Sequence, residues 1–169
     1  MNEQQLTAVN KKNDWLYNLV EVEFPTPESI KGRELYLDSS TQCEFSLLDS
    51  SSLLSKATQT SAENIYLVDF HRLTIMFALL QSSRWEHKEQ QDLIIEFLTQ
   101  IILSSEYELY VGFHDGEPTA AAIVSQYEKQ TLISDVVVSQ NLDKQTFIGD
   151  LAKKLVESDK LYETIIAET

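Results

Sequence analysis

Residues 107–169 are YELYVGFHDGEPTAAAIVSQYEKQTLISDVVVSQNLDKQTFIGDLAKKLVESDKLYETIIAET. Apolar and polar side chains alternate at the start of this stretch, and Asp115-Gly116 supplies the positive φ that a tight hairpin turn requires. The predicted elements are, in order, strands at 108–113, 119–127 and 131–138, a helix at 146–158 and a strand at 161–167. The pattern therefore predicts a three-strand meander that is followed by one helix and one further strand.

Two amphipathic helices are predicted before the meander. In the segment Asn64–Ser82, the i, i+3, i+4, i+7 spacing of one helical face is kept by Leu73, Met76, Phe77 and Leu80. In the segment Glu89–Ser104, a second apolar stripe is formed by Ile94, Phe97, Leu98 and Ile101. Ile65–Val68 is either a strand or the first turn of the first helix.

The N-terminal part of the chain has a different pattern. Residues 1–13 are polar and predict a flexible start, and residues 14–60 predict a strand-rich extension that packs on a core domain at 61–169. The strands predicted in this extension are Trp15–Phe24, Glu34–Leu37 and Glu44–Leu48. Residues 49–63 are dominated by Ser and Thr and predict a connector.

The charge balance is strongly acidic. Asp and Glu number 27 against 13 Lys and Arg, which leaves a formal net charge of −14 at pH 7. Such a chain repels polyanions, so the sequence predicts no binding to nucleic acid. It attracts cations such as an amine or a basic protein, although surplus acidic residues also serve solubility alone.

The cysteine count and the apolar runs indicate where the protein resides. Cys43 is the single cysteine, so no internal disulfide can form, and a reducing compartment is expected. One cysteine and three histidines also predict no structural metal site. The polar first fifteen residues do not resemble a secretory signal, and no apolar run approaches the roughly 20 residues of a membrane helix. The sequence therefore predicts a cytoplasmic protein with no membrane contact.

The order of helices and strands over residues 64–169, with Ser134-Asp135-Val136-Val137-Val138 ending the third strand of the meander, resembles the GNAT superfamily of N-acetyltransferases. The resemblance implies an α+β fold with α/β/α layers, in which a twisted, mixed and mostly antiparallel sheet has helices on both faces. It also implies transfer of an acetyl group from acetyl-CoA to the primary amine of a small molecule or peptide.

The same resemblance implies where acetyl-CoA would bind. In the family, the strand that matches 131–138 parts from its neighbour, and its backbone bonds the pantetheine arm; here this strand ends in Val136, Val137 and Val138. The next helix holds the pyrophosphate at its N-terminus, and the matching residues are Lys144, Gln145, Ile148 and Gly149. Gln145 fits the family pattern. Ile148 stands where the family has its first glycine, and Gly149 lies one residue after that position. Asp150 replaces the second glycine, and Lys144 offsets part of the negative charge of Asp143 and Asp150.

Asp135 is the candidate catalytic residue. It interrupts an otherwise apolar strand, and alternation predicts that it faces away from Ser134 and Val136. The resemblance implies an acid near the substrate amine, with a pKa raised by desolvation so that it can act as a base. The alternative is a structural acid that pairs with Lys or Arg. Likewise, 84–87 (Arg-Trp-Glu-His) either lines the acceptor site or anchors the start of a helix.

The sequence stops at Thr169, just after the strand that resembles the fifth strand of the family, so the family's following helix, which often carries a Tyr that protonates the thiolate, is not matched. An open sheet edge at Leu161–Ala167 is therefore expected to pair with the N-terminal strands or with a second subunit in a homodimer. The alternative to acetyl transfer is a catalytically inactive relative that acts in protein–protein association or binds another small ligand.

Overall fold

The computed structural model of this chain describes residues 1–58 and 64–169. Its helices are α1 (Glu3–Asn18), α2 (Pro27–Ser40), α3 (Ser50–Leu54), α4 (His71–Ser82), α5 (Lys88–Leu98) and α6 (Lys144–Glu157). Its strands are β1 (Phe45–Asp49), β2 (Ile65–Leu67), β3 (Tyr107–His114), β4 (Glu117–Tyr127), β5 (Gln130–Val138) and β6 (Thr164–Glu168). The predicted α+β class is confirmed.

The strands form one sheet in the order β1-β6-β5-β4-β3-β2. β5 and β6 are parallel, and every other neighbouring pair is antiparallel, so the sheet is mixed and mostly antiparallel as predicted. The β3–β4 hairpin turns at Asp115 and Gly116, whose φ angles of 50° and 79° are those that the Asp-Gly pair predicts.

Helices cover both faces of the sheet. The face here called the α2 face packs against α1, α2, α4 and α5 and carries Leu109, Val111, Ala121 and Ile123. The opposite face, the α6 face, packs against α6 and carries Tyr110, Ala120, Ala122 and Val124. Successive residues of a strand point to opposite faces, so the three alanines of β4 admit helices closely on both sides.

The prediction for the first 24 residues is wrong. Where a flexible start and a strand at Trp15–Phe24 were expected, α1 begins with a capping box between Asn2 and Gln5 and runs to Asn18. The buried side of α1 has helical spacing and consists of Gln5, Ala8, Val9, Lys12 and Leu16. Two of these five side chains are polar, which is why no apolar stripe is visible in the sequence.

The predicted strand Glu34–Leu37 is also wrong, because these residues lie inside α2. Pro27 is the first residue of this helix, and Thr26 caps it by accepting a hydrogen bond from the Ser29 N–H. The third predicted strand is confirmed as β1. The predicted connector contains the short helix α3, and residues 59–63 of it lie outside the described residues.

Upstream of the meander, the two predicted helices are confirmed as α4 and α5, and the ambiguous segment forms strand β2. α5 ends at Leu98 instead of Ser104. The amide of Gln100 bonds the carbonyl of Phe97, and that of Ile101 bonds the carbonyl of Leu98; these i→i+3 bonds tighten the chain out of the helix. Ile102 is consequently 79% exposed.

Strand β6 lies between β5 and β1. β1 pairs with it antiparallel along its whole length, from Phe45 opposite Glu168 to Asp49 opposite Thr164. An N-terminal strand therefore covers the edge that was predicted to need a partner, and the homodimer stays a prediction. Among the described residues, no helix is long and apolar enough to span a lipid bilayer.

Candidate functional site

The candidate site lies where two parallel strands part. β5 and β6 pair from Gln130 opposite Thr164 to Ile133 opposite Ala167, and their pairing ends there. β5 nevertheless continues along β4 to Val138. A gap between neighbouring strands therefore opens beside the second half of β5, close to the start of α6.

A β-bulge in β5 sets the side chains at this gap. Ser134 lies opposite Ile123, whereas Val137 lies opposite Ala121, so β5 has one residue more than β4 over this interval. The bulge places Asp135 at a φ of 53°, a region that Asp tolerates better than most residues. The side chains of Ser134 and Asp135 meet, and the Ser134 hydroxyl donates to Asp135 Oδ2 over 2.7 Å. The prediction that they face away from each other is wrong because the bulge shifts the alternation by one residue.

The Asp135 carboxylate is buried among donors from two helices. Lys12 Nζ of α1 lies 2.6 Å from Asp135 Oδ2, and both side chains are almost fully buried, with relative exposures of 2% and 4%. The Tyr36 hydroxyl of α2 donates to Asp135 Oδ1 over 2.6 Å. Both carboxylate oxygens are thus paired, and α1 and α2 are tied to the sheet at one point.

These contacts determine the charge of Asp135. Burial by itself raises the pKa of its carboxyl group, but the Lys12 charge and the hydrogen bonds from Lys12, Tyr36 and Ser134 outweigh burial, and the pKa lies below its ordinary value. The predicted rise is therefore wrong. An ionised carboxylate with a lowered pKa is a weak base, so the contacts favour the structural alternative for Asp135.

The gap beside β5 contains an ion pair, here called the gap pair, of Glu168 and Lys144. The backbone N–H of Asp135 donates to Glu168 Oε2 over 2.7 Å, and Lys144 Nζ lies 3.1 Å from Glu168 Oε1. The Glu168 side chain is 6% exposed. Alternation along β6 puts Glu168 on the α2 face, whereas Lys144 begins α6 on the other face. The gap pair therefore joins the two faces of the sheet across the gap.

The predicted cofactor-binding residues of α6 are engaged within the chain. Gln145 Oε1 accepts a bond of 3.4 Å from Lys56 Nζ, and Ile148 is fully buried in the core of the α6 face. A Cβ on Gly149 would lie 3.0 Å from Leu53 O and from Ala57 N. Gly149 therefore allows α3 and the turn after it to approach α6 closely.

The three valines of β5 are spread over both cores. Val136 packs in the core of the α6 face, Val137 in the core of the α2 face, and Val138 is half-buried at the margin of the α6 core. Because of the extra residue in the bulge, Val136 points to the α6 face, whereas strict alternation from Ile133 would place it on the α2 face.

Part of the predicted 84–87 cluster joins the site. The Arg84 guanidinium lies 4.9 Å from the ring centroid of Tyr36 and 4.8 Å from that of Trp85. Gln81 Nε2 donates to the backbone carbonyl of Asp135. The remaining two residues of the cluster, Glu86 and His87, are exposed. Arg84 thus adds a cation beside the buried acids, while Glu86 and His87 lie on the surface.

Sequence reasoning missed four residues of this site: Lys12, Tyr36, Gln81 and Glu168. Two of them have a signal in the sequence. Lys12 keeps the helical spacing of Ala8 and Leu16, and Glu168 is buried in its strand directly after the apolar run 165–167. Their shared contact with Asp135 depends on the fold and has no local signal.

Acid should weaken the fold partly through Asp135. Its folded pKa lies below the unfolded value of about 3.9, so its contribution to stability is present above that value and is lost as the pH falls through the folded pKa. Denaturant unfolding at pH 7 to pH 3 is expected to show a steeper loss of the free energy of unfolding below about pH 4 for the wild type than for Asp135→Asn. Parallel curves for the two proteins would contradict this assignment.

No family model and no curated protein matches this chain. Among solved structures, a functionally unknown conserved protein from Staphylococcus epidermidis ATCC 12228 superposes with a TM-score of 0.55 at 11% identity, over 75% of this chain and 50% of that one. A GCN5-related N-acetyltransferase from Kribbella flavida has a TM-score of 0.49 at 10% identity, over 75% of this chain and 48% of that one. At such identities the first likeness shows the fold alone. This chain spans about half the length of both structures.

Proposed function

We propose that this protein uses an acetyltransferase-like scaffold for association with a cationic partner and does not transfer acetyl groups. The observation that carries the proposal is that the chain's own groups occupy the positions where the family resemblance implies acetyl-CoA. This holds for both parts of the cofactor, the pyrophosphate and the pantetheine arm: the chain's own side chains occupy the groups that each would bind.

The start of α6 is a poor fit for a pyrophosphate. An anion binds at a helix N-terminus through free backbone N–H groups. Here the Asp143 carboxylate accepts from the Thr146 N–H and hydroxyl, each over 2.8 Å, and these bonds lower the pKa of Asp143. Asp150 accepts from the Thr58 N–H over 2.6 Å, and α3 packs on Gly149. A diphosphate would meet a carboxylate cap and a covered glycine.

The gap beside β5 is an equally poor fit for a pantetheine arm. An arm that bonds the β5 backbone needs unpaired groups on the open side of the strand. The Asp135 N–H on this side is bonded to Glu168, which is itself paired with Lys144. The residues present therefore do not fit acetyl-CoA unless the gap pair is displaced.

A cationic partner is favoured by the charge and by the surface. The net charge of −14 attracts basic proteins and amines and repels nucleic acid. An open cleft of about 450 Å³ is lined by Tyr66, Phe70, Leu73 and Phe113, and the rings of Tyr66 and Phe70 are exposed there, a composition that suits contact with a protein. These features support association with a cationic protein.

Acetyl transfer from acetyl-CoA to a primary amine is the second candidate. It is favoured by the parting of β5 and β6 beside the start of α6, the arrangement that the family resemblance implies for cofactor binding. The acidic surface would also attract a cationic amine.

Ligand-dependent melting distinguishes the two candidates. We expect millimolar acetyl-CoA to leave the melting temperature unchanged and to release no free thiol in the presence of polyamines or lysine peptides. A ligand at 100 times its dissociation constant should raise the melting temperature of a domain of this size by about 5 to 11 °C. A saturable rise of this kind that Lys144→Glu reduces, or thiol release, would establish the second candidate instead.

A basic peptide tests the association itself. We expect a lysine-rich peptide to raise the melting temperature at low salt, and a glutamate-rich peptide of equal length to have no effect. Because screening shortens the reach of surface charges, the rise should largely disappear at about 1 M salt, where the Debye length is about 3 Å. Equal behaviour of the two peptides would count against a cationic partner.

A further inference from the structure

The N–H of Asp135 is a strand donor whose acceptor is a side-chain carboxylate. Neighbouring strands normally satisfy such groups, but β6 has parted from β5 at this position. The Glu168 carboxylate takes the place of a strand carbonyl, at 2.7 Å from the Asp135 N. The gap therefore contains a backbone donor that requires an acceptor from outside the regular ladder.

Two donors from separate elements bind the two oxygens of this carboxylate. The Asp135 N–H of β5 bonds Oε2, and Lys144 Nζ of α6 lies 3.1 Å from Oε1. Hydrogen bonds to an ionised acceptor are roughly twice as strong as neutral ones, and burial strengthens them further. Both donors contact the carboxylate oxygens of Glu168, so what they bind is the carboxylate group and not the rest of the side chain.

We infer that the Asp135 N–H and Lys144 Nζ form a binding site for a small carboxylate, and that the Glu168 side chain is its built-in occupant. The end of a glutamate side chain is chemically an acetate or propionate unit. The site therefore fits a monocarboxylate of two or three carbons that competes with Glu168. This inference concerns the same gap pair that the proposed function uses, but it is tested with acetate alone, without acetyl-CoA and without a protein partner, so the two can fail separately.

The occupant can leave without unfolding the sheet. The backbone of Glu168 is held by its pairing with Phe45 of β1, whereas its carboxylate is held by the two donors. Rotation of the side chain frees the Asp135 N–H, leaves Lys144 Nζ with its bond of 3.2 Å to the Thr169 carbonyl, and keeps the strand in place. Lys144 is 29% exposed, so the site has one solvent-facing side through which a small anion can enter.

Chemical rescue of a truncated occupant tests the site. In Glu168→Ala, the two donors lose their acceptor, and the melting temperature should fall. Sodium acetate should then raise it saturably relative to sodium chloride at equal ionic strength, by about 3 to 6 °C at ten times the dissociation constant. The amide proton resonance of Asp135 should move upfield in the variant and return downfield with acetate.

Matched variants separate the site from a general salt effect. Glu168→Gln keeps an oxygen acceptor of the same reach but removes the charge, so its Asp135 amide proton should move upfield and acetate should not restore it. Glu168→Ala combined with Lys144→Met should lose the acetate response because one of the two donors is missing. The inference is overturned if acetate and chloride act equally on Glu168→Ala.

A failure of Glu168→Ala to fold in chloride still leaves the inference testable. Folding that acetate restores supports the site. If the variant folds in neither salt, the chemical shift of the Asp135 amide proton is measured in Glu168→Gln instead. An upfield shift supports the inference, and a resonance identical to that of the wild type overturns it.

Discussion

Replacing Lys12 by methionine is expected to lower the free energy of unfolding by about 3 to 5 kcal/mol, because it leaves the Asp135 carboxylate buried without its cation. Methionine has a similar length, so the packing of α1 changes little and the lost charge dominates. For a domain of this size the melting temperature should fall by about 6 to 20 °C, as measured by calorimetry. Tyr36 and Ser134 still donate to the carboxylate, but neither carries a charge.

A double-mutant cycle identifies the cause of that loss. Asp135→Asn alone should also destabilise the protein, because it strands the Lys12 ammonium in the same buried position. Asn tolerates the positive φ of this residue, so the bulge is retained. The double variant, with neither charge, should be more stable than either single variant. Lys11→Met on the exposed side of α1 is the control and should cost about 1 kcal/mol or less, since the exposed Lys11 side chain overlies the Tyr127 ring and forms no buried ion pair with the residues that the structure describes.

If Lys12→Met unfolds at the wild-type temperature, the buried pair contributes nothing to stability. The Asp135 carboxyl group would then have to be protonated, and so uncharged, in the folded state, contrary to its lowered pKa. The acid profile of Asp135→Asn provides an independent check on that point.

Replacing Gly32 by alanine is the second change with a large expected effect. α2 crosses α5 at Gly32, where an added Cβ would lie 2.0 Å from Leu93 O and 2.8 Å from Phe97 Cβ. A carbonyl of the α5 backbone cannot move aside by changing a rotamer, so the two helices must separate. Overpacking usually costs about 1 to 3 kcal/mol, and a backbone clash this close should reach about 3 kcal/mol or more.

The intrinsic helix propensity of alanine has the opposite effect on stability, so it cannot account for a loss of stability in this variant. Alanine favours a helix over glycine by about 1 kcal/mol, so any loss of stability in Gly32→Ala reports the helix crossing. The neighbouring exposed residue supplies the control: Lys31→Ala lies on the outer side of α2 and should change the free energy of unfolding by less than about 0.5 kcal/mol. Equal melting temperatures for the two variants would show that α2 does not approach α5 as described.

Local signals account for the parts of the fold that were predicted correctly. The meander follows from period-two alternation and from the Asp115-Gly116 turn, both of which act between residues that are close in sequence. α6 follows from an apolar stripe of period 3.6. The same reasoning failed for α1 and α2, because the buried sides of these helices include Lys12 and Arg33, which look like surface residues in the sequence.

The site shows the opposite balance. Asp135 and Lys144 stand out in the sequence because of their positions at a strand and at a helix start, but their partners do not. Glu168 contacts Asp135 only because β6 returns parallel to β5 and then parts from it. Lys12 does so only because α1 packs on the α2 face. Gly149 looked like part of an anion loop, and its role in packing requires the position of α3.

The amino-acid sequence by itself therefore determines the α+β class, the β3–β4 hairpin and the order of the last elements along the chain. These features follow from alternation, turn chemistry and helical periodicity, which act between residues close in sequence. The charge state of Asp135, the occupant of the gap and the partner of β6 depend on residues far apart along the chain. One extra residue in β5 turns Asp135 toward Lys12 and Tyr36, and no local pattern of apolar and polar residues records such a bulge. Burial and pairing of charges arise when distant segments meet, and for that reason they had to be read from the folded chain.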